Sequence, residues 1–204
     1  MTRGVDNLFG VIVGIAVFGF VTSVTPGPNN TYLLSSGMNH GLGKSLSYIN
    51  GIMIGLTVMF SSIALGVGSL FRAFPLIQEY LKYIGFAYVL FLAYGIVRST
   101  FVHKHEALHA VGFFRSALFQ LVNPKAWIVL ISFYSSYIPE QADFGTLALA
   151  LGVFLVATYP GAMIWAAFGE AVAGILQKDN RRPIFNVAAA VLLVISMVPV
   201  LFLQ

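Results

Sequence analysis

Cysteine is absent from this 204-residue chain. Disulfides, thiolate nucleophiles and cysteine-ligated metals are therefore excluded. Charge is scarce as well: Asp, Glu, Lys and Arg make up 9% of the residues, against about 25% in a soluble domain. The net charge of +4 is small and falls in loops. It speaks of membrane topology and not of nucleic acid. What remains is apolar. Hydrophobic residues make up 58% of the chain and the mean hydropathy is +0.88. Several apolar runs approach the roughly 20 residues a helix needs to cross a bilayer. The chain reads as one all-α integral membrane domain over residues 1–204.

Taken in order, Leu8–Val24 is apolar and follows Arg3. No small-residue cleavage site follows, so the run reads as half of a first membrane helix and not as a signal peptide. Asn29–Ser36 continues that crossing, and a turn over Gly37–Lys44 ends it. Leu46–Leu70 is a second helix, with Gly51 and Gly55 at GxxxG spacing. That spacing lets another helix approach closely and allows a homodimer without requiring one; a merely glycine-rich composition would produce it too. Leu76–Val97 is a third helix, with Glu79 and Lys82 placed to pair near the interface. Phe113–Ile138, Gly145–Phe168 and Ile184–Phe202 are the fourth, fifth and sixth. His103, His105 and His109 lie in the polar loop between the halves, where a solvated loop is favoured over a metal site for want of a rigid frame.

Lys44, Arg98, Lys104, Arg115, Lys178, Arg181 and Arg182 fall in the first, third and fifth loops. Arg3, Arg72 and Lys82 fall on the other side. The positive-inside rule then places both termini outside the cytoplasm. Glu170 reaches the headgroups by snorkelling.

Two crossings are interrupted. No charged residue stands between Asn7 and His40, yet this run contains Thr25-Pro26-Gly27-Pro28-Asn29-Asn30. The fourth helix contains Asn123-Pro124-Lys125. Proline removes an amide donor and clashes with the preceding turn, so Pro26 and Pro28 free the carbonyls of Thr22 and Val24, and Pro124 frees that of Gln120. In lipid such groups need polar partners. A proline kink healed by a neighbouring helix is the plainer alternative. The breaks are separated by about half the chain. Three crossings per half make the halves inverted: repeat one about 1–98, a loop over 99–112, repeat two about 113–204. This is the pattern of a transporter with a midplane site between broken helices.

Thr25-Pro26, Gly27-Pro28 and Asn123-Pro124 all fit helix starts. Helix starts attract anions, and the freed carbonyls attract a cation, so the joint suits a zwitterion such as an amino acid. Lys125 is an ionisable group at depth and a functional candidate by default. It could neutralise a carboxylate, or gate the cavity by binding carbonyls when empty, or simply reach a wet crevice. The candidate substrate-binding set is Thr25, Pro26, Gly27, Pro28, Asn29, Asn30, Asn123, Pro124 and Lys125. No catalytic residue, metal or cofactor is called for: Ser132, Ser135 and Ser136 have no acid or histidine in any helix core to activate them. Tyr32, Tyr48, Trp127 and Trp165 read as packing or interface residues before cavity residues.

Thr25-Pro-Gly-Pro-Asn29 followed by Gly37, Gly41 and Gly43 resembles the opening signature of the lysine exporter (LysE/RhtB) family of bacterial amino-acid translocators. Gly85-Phe-Ala-Tyr88-Val-Leu-Phe-Leu-Ala-Tyr-Gly95 is similar to that family's third helix, and Phe119-Gln-Leu-Val-Asn123-Pro124-Lys125-Ala126 to its fourth. The resemblance covers nearly the whole chain. It implies export of amino acids or close derivatives across the bacterial inner membrane, driven by the proton gradient. The branch it is closest to handles homoserine, threonine, cysteine or O-acetylserine. The lack of a mid-membrane acid agrees with a neutral substrate. Glu170, Asp143, His40 and Lys125 are the candidates for proton coupling, with competition between substrate and proton at Lys125 preferred. A passive channel for small zwitterions and a membrane-embedded enzyme are the competing readings.

Overall fold

The computed structural model describes residues 2–66, 75–98, 112–178 and 182–195. His103, Lys104, His105 and His109 of the expected loop, Arg72, and the side chains of Arg3, Glu79, Lys82, Lys178, Arg181 and Arg182 lie outside the described residues. Eight helices make up the described fold: α1 (Thr2–Val24), α2 (Pro28–His40), α3 (Leu42–Ala64), α4 (Pro75–Arg98), α5 (Phe113–Val122), α6 (Pro124–Tyr137), α7 (Phe144–Lys178) and α8 (Arg182–Ile195). Among the described residues no strand occurs.

Helices α3 and α7 are each long and apolar enough to span a bilayer. The pairs α1–α2 and α5–α6 pass the same test together, bent by 62° and 71° at their breaks. Apolar parts of α4 and α8 are shorter. This is the helical membrane architecture the apolar runs predict, with both proline motifs at the bends.

Three boundaries differ from expectation. No turn spans Gly37–Lys44: α2 runs on to His40, and a single residue, Gly41 at φ 81, joins it to α3. Gly37 is helical and presses on the Ala166 backbone of α7, where a side chain would not fit. The second helix stops at Ala64 and not Leu70, because Gly66 at φ 97 turns the chain and donates to the Ile63 carbonyl (3.0 Å), as left-handed glycine does at helix ends. The fifth helix continues past Phe168 to Lys178, so Glu170 lies within it and not at its end.

Packing is crosswise between the halves. Helix α1 lies along α7, as α5 lies along α3; α2 packs on α7 and α8, as α6 packs on α3 and α4; α3 meets α7, and α4 meets α8. Gly51 and Gly55 face the Phe113 and Ala117 carbonyls of α5. The GxxxG face is thus filled from within the chain, and a second copy would have to use another surface. Phe133 and Phe154 stack at 4.6 Å, with Phe18 and Phe60 at 6.4 and 5.6 Å from Phe133, tying α1, α3, α6 and α7 into one aromatic core. At the centre is α2, with ten of its thirteen residues buried, Asn30, Thr31, Ser35 and Ser36 among them.

Candidate functional site

The first break begins where α1 runs out of amide donors. Thr25 N makes the last helical bond, to Val21 O (3.1 Å). Pro26 and Pro28 cannot donate, so α1 ends and α2 begins at Pro28, the first helical position, where the missing N–H costs nothing. The carbonyls left behind find side chains. Ser23 O and Thr25 O accept from Asn30 Nδ2 (2.6 and 2.8 Å), and Val24 O accepts from Trp165 Nε1 (3.2 Å). Gly27 precedes α2 in extended backbone, and no side chain caps that helix start.

The second break is capped. Asn123 Oδ1 accepts from Lys125 N (3.1 Å) and Asn123 O from Ala126 N (3.0 Å), and Pro124 again opens the new helix. Asn123 N donates back to Gln120 O (3.1 Å). Helix starts therefore form at Gly27-Pro28 and Asn123-Pro124, whereas Thr25-Pro26 lies in the bend.

Lys125 bridges the breaks. Its Nζ donates to Thr25 O at 2.7 Å and Pro26 O at 3.1 Å. Those acceptors are not the expected carbonyls of Thr22, Val24 and Gln120: Trp165 takes Val24, and Asn123 N takes Gln120. Gly27 is what lets the lysine through. A Cβ there would stand 2.9 Å from both Cδ and Nζ of Lys125.

On the other side of the joint, Asn29 and Gln120 form a reciprocal amide pair. Asn29 Nδ2 donates to Gln120 Oε1 (2.8 Å) and Gln120 Nε2 to Asn29 Oδ1 (3.2 Å). Gln120 Nε2 also donates to Ser116 O (2.9 Å), and the Tyr48 hydroxyl donates to Asn29 Oδ1 (3.2 Å). Gln120 is fully buried. Asn29 and Lys125 are each the second residue of a post-break helix, and each reaches across to the end of the other half's pre-break helix.

Between these bridges lies a cavity of about 550 Å³, counting its open mouth. Its polar lining includes Thr22, Ser23, Asn29, Asn30, Gln120, Asn123 and Thr158, its apolar lining Ile52, Met53, Leu56, Val129, Phe154 and Ala162. Among the described residues, Lys125 is the one charged side chain lining it. Of the nine candidate residues, Gly27, Pro28, Asn29, Asn30, Asn123 and Lys125 line the cavity; Thr25 and Pro26 present carbonyls to Lys125, and Pro124 starts α6.

Gln120, Ser23 and Thr158 were not among the candidates. Gln120 carried a signal: a large amide in an apolar helix, one turn before Asn123-Pro124. Serine and threonine gave none, since helical ones commonly bond their own backbone, as Thr22 Oγ1 does to Phe18 O (2.8 Å). Tyr32, Tyr48, Trp127 and Trp165 stay outside the lining. Tyr32 stacks on Tyr48 at 4.3 Å, and the Trp127 indole donates to Leu121 O (2.8 Å). Ser135 donates to Ser132 O (3.2 Å), an ordinary helix contact. Asp143 caps α7, accepting from Thr146 N (2.8 Å).

Comparison with known proteins identifies the family. Residues 20–202 match the family described as LysE type translocator. A leucine efflux protein of Enterobacter sp. (strain 638) is 31% identical over 160 residues, covering 74% of each chain. A cysteine/O-acetylserine efflux protein of Salmonella typhimurium (strain LT2) is 28% identical over 187 residues, 91% of this chain and 94% of that one. One of the same description from Escherichia coli O9:H4 (strain HS) is 28% identical over 189 residues, with the same coverage. No solved structure matches. The family match takes in both breaks, the lysine that joins them and almost every helix described above: the chain belongs to the LysE type translocators, which are membrane transporters and not enzymes.

Proposed function

We propose that this protein exports amino acids or close derivatives with uncharged side chains from the cytoplasm across the bacterial inner membrane, by alternating access coupled to the proton gradient. The observation that carries the reading is the Lys125 ammonium held on the Thr25 and Pro26 carbonyls across two broken helices. The cavity presents two helix starts and an ammonium, and among the described residues no carboxylate lines it. A cation beside a helix start is unfavourable by about 0.3–1 kcal/mol, so the site favours a ligand that brings an anionic group. Without a lining acid it offers no partner to a cationic side chain, and the apolar wall suits an uncharged one. The relatives' names, leucine efflux and cysteine/O-acetylserine efflux, support the same substrate class.

The six crossings are α1–α2, α3, α4, α5–α6, α7 and α8, in two inverted three-helix repeats broken near mid-membrane, with both termini outside the cytoplasm. The crosswise packing supports this: α1–α7 pairs with α3–α5, α2–α7 with α3–α6, and α2–α8 with α4–α6. Gly41, in the first loop, lies beside the Glu170 carboxylate of the descending α7, as a shared cytoplasmic face requires.

Coupling follows from competition at Lys125. Substrate entering from the cytoplasm displaces the ammonium, and the displaced lysine sheds its proton inward. After release outside, a proton from the more acidic face restores the bridge. Counterflow of labelled amino acid in proteoliposomes tests carrier against channel: a carrier shows transient accumulation driven by unlabelled substrate inside, and a channel shows none. A Lys125→Met variant should lose the dependence of transport on the pH gradient. Export by that variant with an unchanged pH profile would remove Lys125 from the coupling.

A further inference from the structure

We infer that the Thr25 and Pro26 carbonyl oxygens are the subsite for a substrate's primary ammonium group, and that Lys125 occupies it as a built-in competitor. The inference rests on reading the cavity as an amino-acid site. Two carbonyl oxygens within 2.7 and 3.1 Å of one nitrogen already form a cradle for an –NH₃⁺ group, which has three donors to place. One side of the cradle is held independently of Lys125: Asn30 Nδ2 holds Thr25 O at 2.8 Å, and Ser23 O at 2.6 Å, from within the first half. The uncapped start of α2 begins two residues on, at Pro28. One short segment therefore offers acceptors for an ammonium and helix-start amides for a carboxylate. A group with the two charges on adjacent carbons fits both ends at once.

Lys125 belongs to the other half, so a ligand that takes the cradle also cuts this tie between the halves. The Asn29–Gln120 pair stays in place beside it. Among the residues lining the cavity, on α1, α2, α3, α5, α6 and α7, no other charged or titratable side chain faces Lys125; Tyr48 lies behind Asn29. A plain amine has no carboxylate to hold it at α2 and does not displace the lysine. With Lys125 gone, the same amine finds the cradle open.

The test uses ligand-induced thermal stabilisation of the purified full-length protein, which reads affinity directly. Leucine, threonine, homoserine and O-acetylserine are screened on the wild type. The tightest is then compared with its decarboxylated amine and its N-acetyl derivative. We expect both derivatives to bind the wild type at least tenfold more weakly, and the amine to bind Lys125→Met at least tenfold more tightly than it binds the wild type. An N-acetyl derivative that binds the wild type as well as the parent overturns the inference, whether or not the variant folds. So does an amine that gains nothing from the substitution. If none of the four amino acids binds the wild type, the transport reading itself fails and takes the subsite with it.

Discussion

Asn29 and Gln120, 91 positions apart, exchange side-chain amide hydrogen bonds of 2.8 and 3.2 Å across the two helix breaks. A neutral pair of this kind is fully buried on the Gln120 side and satisfied at both ends. It differs from the Lys125 bridge in carrying no charge that a substrate could compete for. The lysine tie between the halves is thus exchangeable and the amide tie is not.

Gln120→Leu keeps the volume of the side chain and leaves Asn29 Nδ2 without its partner. Asn29 is half-buried, so the stranded donor costs at most about 1–3 kcal/mol, the figure for a buried one. The melting temperature in detergent should fall, and adding Asn29→Leu should recover part of the loss. A double-mutant cycle with no coupling energy would show that the pair does not act as a unit.

Gly27→Ala should fold, because Gly27 sits in extended backbone that any residue adopts. The new methyl meets Lys125 Cδ and Nζ at 2.9 Å and pushes the lysine off its carbonyls. Transport measured by counterflow should drop tenfold or more, with the melting temperature shifted by only a few degrees. Wild-type transport by this variant would mean that the bridge is dispensable.

Gly55→Leu should fail at assembly. A Cβ at this position already stands 2.5 Å from Gln120 Cγ and 2.7 Å from the Ala117 carbonyl oxygen, and the α3–α5 contact has no room to yield. Size-exclusion chromatography should show loss of the monodisperse peak. Gly10→Leu, where nothing lies within 4 Å, should leave it intact.

Asp143 is held below the usual carboxylate range by its hydrogen bonds from Thr146. Its folded value is lower than its unfolded one, so what it adds to stability is present above the unfolded value and lost as pH falls through the folded one. At neutral pH it stays ionised, as a cap should and a proton relay should not. Asp143→Asn should leave the pH profile of transport unchanged between pH 6 and 8, about the range a relay would shape. A shifted profile would return Asp143 to the coupling path.

The breaks were legible in the sequence because proline's missing donor is local chemistry. Pro28 and Pro124 each open a helix, whereas Pro160 stands inside α7 without ending it; Asn123 announces its own cap. Lys125 was legible because an ammonium in an apolar run needs a reason. The identity of its acceptors was not. Lys125 shares Thr25 O with Asn30 and takes Pro26 O beside it, while Val24 O goes to Trp165, 141 positions away. Helix ends at glycine were equally hard to read. Gly37 and Gly41 look alike in sequence, yet one is pressed against Ala166 inside a helix and the other turns the chain at φ 81.

The burial of α2 sets a constraint on how the protein is made. This helix, with its asparagine, threonine and serines, is covered chiefly by α7, which the ribosome delivers more than a hundred residues later. Until α7 arrives, this stretch is too polar to rest against lipid. The amino-terminal half should therefore wait, held by the insertion machinery or left short of its final depth, and be threaded into place only when the carboxy-terminal half closes round it.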